Sequence, residues 1–155
     1  MKYLLILLSF TLYGQNPNFI IQDNIVKWQF VYPDSLDINY LKSNPNLEFK
    51  TELTGYVKRT NFNNKKLNDQ VSEFIIEKKS DRYRVTIFNI KIIPQKIAFS
   101  FGEVTSLPAD IISIESVLIK NNQIRKSYLG YNLSEILHPH YLNLFLIKTE
   151  YKDEW

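Results

Sequence analysis

The sequence predicts an α+β fold: an antiparallel four- or five-stranded sheet with helices on one face. Three observations predict it. Short segments with apolar residues at every second position follow one another from Ile25 to about Val104, joined mostly by turn-forming stretches. The last third of the chain shifts to apolar residues at three- and four-residue spacing, the signature of helices that could cover such a sheet. Hydrophobic residues make up 45% and charged residues 23% of the 155 positions, a globular composition that suits one domain with its own core.

The first residues read as a leader. "MKYLLILLSFTLYGQN" carries Lys2, an apolar run from Leu4 to Leu12 and the small Gly14, the three-part pattern of a secretory signal peptide. The run is too short to cross a bilayer, which takes about 20 apolar residues; a buried N-terminal strand is the alternative. Residues 1–14 are thus expected to be a signal peptide and 15–155 a single α+β domain, exported to the periplasm or secreted, with no transmembrane segment after leader removal. The chain has no cysteine. That excludes lipidation at a cysteine, thiolate metal sites and thiol nucleophiles. It also favours a bacterial exported protein over a disulfide-stapled eukaryotic one. The formal charge of +3, part of which is Lys2, is too small to imply nucleic acid or an anionic membrane as partner.

After a polar exit from the leader, "IVKWQFVY" places Val26, Trp28, Phe30 and Tyr32 on one face of a strand that Pro33 stops. "DSLDINYLKSN" reads as a short helix, with Asp34 or Ser35 as N-cap, Leu36, Tyr40 and Leu41 at helical spacing, and Pro45 limiting its end. From Leu47 the alternation resumes: Leu47, Phe49, Leu53 and Val57 share a face with Gly55, a glycine that marks a bulge or a close backbone approach. "NFNNKKLNDQ" reads as an exposed loop. "VSEFIIEKK" and "RYRVTIFNIKII" flank Ser80 and Asp81 as a β-hairpin, and "KIAFSFGEV" reads as a further strand. "LPADIISIESVLIK" has helical spacing at Leu107, Ile111, Ile114 and Leu118, with Pro108 in the first turn. Its β-branched content leaves helix or strand open across 108–120. In "NLSEILHPHYLNLFLIKTEY", Pro139 predicts a kink or a fresh helix start.

That order resembles a family of exported bacterial proteins known as a domain of unknown function with a TATA-binding-protein-like (TBP-like) fold. The resemblance rests on the strand Val26 to Tyr32, on "LTGYVKR" from Leu53 to Arg59 and on "DRYRVTIFNIKI" from Asp81 to Ile92. It implies a curved antiparallel sheet with helices on one side, and it implies no activity.

Candidate chemistry is sparse. His138 and His140, the only histidines, sit in "LHPHY". An i, i+2 pair does not share a helix face, so a helix start at Pro139 explains the triplet better than a metal. Glu73 and Glu77 share a strand face with Val71 and Ile75, a mixture expected of the solvent side of a sheet. Ser80-Asp81 is a turn signal before it is a catalytic pair. Lys65, Lys66, Lys78, Lys79, Arg82 and Arg84 gather around the hairpin with aromatic neighbours, as in single-strand binders. Glu73, Glu77 and Asp81 intersperse them, and cations also guard sheet edges against aggregation. Arg82, Tyr83 and Arg84 are expected at the hairpin's solvated start. No catalytic, metal or cofactor-binding residue is assigned. The sequence therefore predicts a non-enzymatic binding or structural module of the cell envelope, taking a protein, peptide or small-molecule ligand; the alternatives are a small exported hydrolase and a nucleic-acid-binding sheet.

Overall fold

The computed structural model describes residues 18–33, 35–60, 69–94, 110–121, 123–125, 127–128 and 131–147. The leader, Asp34, Lys65, Lys66, the "KIAFSFGEV" segment, Leu107 and Pro108 lie outside the described residues.

The polar exit is in fact a strand. β1 (Phe19–Gln22) pairs antiparallel with β2 (Ile25–Tyr32), Gln22 opposite Ile25. The two residues between, Asp23 and Asn24, have φ of 54° and 60°. Consecutive left-handed residues make the type I′ turn that suits a tight hairpin, and Asp and Asn tolerate it better than most L residues. β2 alternates as predicted: Val26, Trp28 and Tyr32 are fully buried and Phe30 packs beside them.

Helix α1 (Ile38–Lys42) is capped by Asp37, whose carboxylate accepts from the N–H groups of Asn39 and Tyr40 at 3.0 and 3.1 Å. The cap falls later than Ser35, the described one of the two predicted positions. The chain runs extended past Leu36, which packs on the core, before it can turn. The run from Leu47 divides into β3 (Leu47–Phe49) and β4 (Thr54–Thr60), with Leu47 opposite Val57 and Phe49 opposite Gly55. Cross-strand partners share a face, so the predicted grouping holds although the strand is two strands. A Cβ on Gly55 would lie 2.1 Å from the Glu48 carbonyl oxygen and 2.8 Å from Phe74 Cζ. This is the close approach that the glycine signals.

β5 (Asp69–Lys78) and β6 (Tyr83–Ile93) form the predicted hairpin, closed by the Lys79 N–H donating to the Arg82 carbonyl at 2.9 Å. Asp69 and Gln70, expected in a loop, belong to β5, and Gln70 is buried. The 108–120 question resolves as both, over the part described. β7 (Ile112–Ser113) pairs with β6, Ser113 caps α2 (Ile114–Leu118), and β8 (Ile119–Lys120) turns back on β9 (Gln123–Ile124). β10 (Ser127–Tyr128) and β11 (Tyr131–Asn132) form a second small hairpin before α3 (Leu133–Phe145).

The main sheet is antiparallel, curved and not closed, in the order β1-β2-β6-β5-β4-β3 with β7 also on β6. Among the described residues it has seven strands, more than the four or five expected, because the run from Leu47 divides into two strands and β1 and β7 are short with little sequence signal. α3 lies across the inner face, while Leu41 of α1 and Ile114 and Leu118 of α2 join the same core. Trp28 meets Tyr141 and Phe74 meets Phe145, with ring centroids 5.6 and 5.1 Å apart. Of the kink or fresh start expected at Pro139, the fresh start does not occur: α3 runs from Leu133 to Phe145 with Pro139 inside it.

A helix leaves its last carbonyls without intrahelical donors. Here two sheet tyrosines and the asparagine that follows α1 supply them. Tyr32 Oη donates to the Leu142 carbonyl at 2.9 Å, Asn44 Nδ2 to Leu144 at 2.9 Å and Tyr83 Oη to Phe145 at 2.5 Å. Tyr83 is thus fully buried and stacked on Tyr32, not solvated at the hairpin start as the sequence suggests.

Candidate functional site

The two sheet faces differ in what they offer. The inner face is closed by α3, and the histidines serve that closure. Trp28 Nε1 donates to His138 Nδ1 at 3.1 Å, which fixes the neutral ring with its proton on Nε2. Burial lowers the pKa of His138 and takes that of His140 down to about 4. Among the described residues no group of three or more His, Asp or Glu side chains could hold a metal ion.

The outer face is interrupted at one level. Between the pairs Val57–Ser72 and Thr60–Gln70, β4 takes three steps while β5 takes two. Between Glu73–Phe88 and Val71–Lys91, β6 takes three steps while β5 takes two. A bulge therefore flanks β5 on each side at the same height. Each one sends two consecutive side chains outward: exposed Lys58 and Arg59 on β4, half-buried Phe88 and exposed Asn89 on β6. Asn89 reaches this position with φ of 49°, left-handed backbone that costs energy for any residue with a Cβ. Bulges re-aim side chains and concentrate at functional sites.

The result is a crease of about 330 Å³ over β3 to β6. One row across the strands carries Glu48, Tyr56 and Glu73, placed by the pairings Glu48–Tyr56 and Tyr56–Glu73. The next row along carries Lys58, Val71 and Lys91, the last two paired directly. Asn89 Nδ2 donates to Glu73 Oε1 at 2.6 Å, and Arg59 pairs with Asp69. The Lys50 ammonium stands 4.6 Å from the Tyr56 ring centroid. Of these residues the sequence singled out Glu73 alone. A signal for the others existed: the buried apolar positions of β6 run Tyr83, Val85, Ile87, then Ile90, Ile92, a switch from odd to even that marks an extra residue.

Glu77 and the hairpin cations lie apart from this crease, around a second concavity of about 370 Å³. Arg84 makes a two-pronged pair with Glu77 at 2.6 and 2.7 Å, and Arg82 pairs with Asp81. The Arg84 guanidinium holds the Glu77 carboxyl below its ordinary pKa, and Arg82 does the same for Asp81. Both arginines of the suspected basic patch are thus neutralised by neighbours, while Lys78 and Lys79 stay exposed. Ser80 and Asp81 form the turn, as expected. No family model, curated protein or solved structure matches the chain.

With donors, acceptors, both signs of charge and an aromatic ring within one open depression, the crease is equipped to hold a polar ligand. Among the described residues no helix is long and apolar enough to cross a membrane.

Proposed function

We propose that the chain is an exported module of the bacterial envelope that acts by binding, with the crease on the outer sheet face as its contact surface. The single observation that carries this reading is the pair of bulges at one height on β4 and β6. Each gives up ladder hydrogen bonds, and one holds Asn89 in strained backbone, to turn polar side chains toward solvent.

A TBP-like architecture fits the same reading. The element order supports it: a strand ending in aromatic residues, a short helix, a strand with a central glycine, a long hairpin and a terminal helix against the inner face. Export rests on the leader pattern of residues 1–14.

Two measurements test the proposal. Intact mass of the protein recovered from the periplasm of a bacterial host is expected to show loss of the first 14 residues; the full-length mass in the cytoplasm contradicts export. Incubation of the purified protein with peptidoglycan, glycan and ester substrates is expected to leave them unchanged, and turnover of any of them overturns the non-enzymatic reading in favour of a hydrolase.

A further inference from the structure

Resting on that reading, the geometry points to a ligand class: we infer that the crease binds a short zwitterionic peptide, two or three residues long. Charge is segregated along the strands. The row of Glu48 and Glu73 is net negative even with Lys50 above the Tyr56 ring, two carboxylates against one ammonium. The row of Lys58 and Lys91 is positive, and Arg59 adds nothing because Asp69 pairs it. Among the described residues neither Lys58 nor Lys91 has an ion pair.

The rows lie two residues apart on β4 and β5, roughly 7 Å at the usual rise. An extended dipeptide spans about the same length. Its ammonium would reach Glu73, whose second carboxylate oxygen is not taken by Asn89, and its carboxylate would reach Lys58 and Lys91. Tyr56 within the negative row and Val71 within the positive one provide the apolar floor. A single amino acid is too short to touch both rows, and a neutral sugar would leave the separated charges unused. The positive row exceeds the negative one, so an acidic residue at the peptide's C-terminal end is favoured over a basic one.

The test is a titration of the isotope-labelled protein, followed by backbone amide shifts, with Ala-Glu, its N-acetylated form, its C-amidated form, Ala-Lys and a neutral disaccharide. Ala-Glu is expected to shift amides of Tyr56, Lys58, Glu73, Asn89 and Lys91. Either cap should weaken binding about tenfold or more, the usual loss when a charge-assisted contact goes. N-acetylation should lose most of its effect in Glu73→Gln, and amidation most of its effect in Lys91→Gln; both substitutions are on the surface and leave the core untouched. Equal binding of capped and free peptide overturns the inference. So does a crease that answers only to the disaccharide, which leaves the outer-face reading standing. Shifts confined to α3 and the inner face overturn both.

Discussion

Gly55 shows how much one missing atom can decide. Its Cα lies where β3, β4 and Phe74 converge, and a methyl group there would overlap the Glu48 carbonyl outright. Gly55→Ala is therefore expected to destabilise the fold by about 2–3 kcal/mol or more, since the obstacle includes backbone that cannot step aside; urea unfolding measures it, and a change below 0.5 kcal/mol, on the order of a surface substitution, contradicts the packing described. Tyr83→Phe removes the donor to the buried Phe145 carbonyl while keeping the stack on Tyr32. An orphaned buried carbonyl costs about 1–3 kcal/mol, and the same unfolding experiment reads it. The glycine was legible in the sequence as a close approach. Tyr83 was not, because a tyrosine between two arginines looks solvated until the strand pairing turns it inward and the arginines outward.

At the scale of elements, α3 ties its stability to pH. His140 has a folded pKa of about 4 against an ordinary 6.5, and that of His138 is lowered as well. With the folded value depressed, the unfolded chain takes up the proton first as pH falls. Stability is therefore full above about 6.5, declines as pH falls toward about 4, and loses on the order of 3 kcal/mol from His140 by the end of that window. Glu77, held low by Arg84, withdraws its smaller, solvent-screened contribution at still lower pH, below its ordinary 4.5. Melting curves across the range should show the decline, and His140→Phe should flatten its upper part. A wild-type profile flat from 6.5 to 4.5 would contradict a partly buried His140 held neutral in the fold. In the first hairpin, Asn24→Ala at φ of 60° should cost about 1–2 kcal/mol, and Asn24→Gly should cost much less. The turn was readable as Asp-Asn between two apolar stretches. It went unread because Phe19–Gln22 adjoins what looks like a leader, and a short edge strand carries little periodicity of its own.

For the whole molecule, the class of fold was open to view in the sequence and its functional surface was not. Period-two patterning marks which residues of β2, β4, β5 and β6 face the core, because burial selects apolar side chains one face at a time. The crease depends on something patterning barely records, namely where two flanking strands each gain a residue relative to β5. Only the pairing of distant segments puts those two irregularities side by side. The phase switch from Ile87 to Ile90 records half of the event, and nothing in β4 announces the other half so plainly. With the inner face spent on α3, the outer crease is the contact surface we propose.

The most direct measurement is backbone amide shift mapping of the purified protein against soluble peptide and glycan fragments of bacterial cell wall, with the fragments assayed for cleavage in the same tube. The account predicts shifts clustered on Tyr56, Lys58, Glu73, Asn89 and Lys91 and fragments recovered intact. Shifts confined to α3 and the buried face, or fragments that come back cleaved, would contradict it.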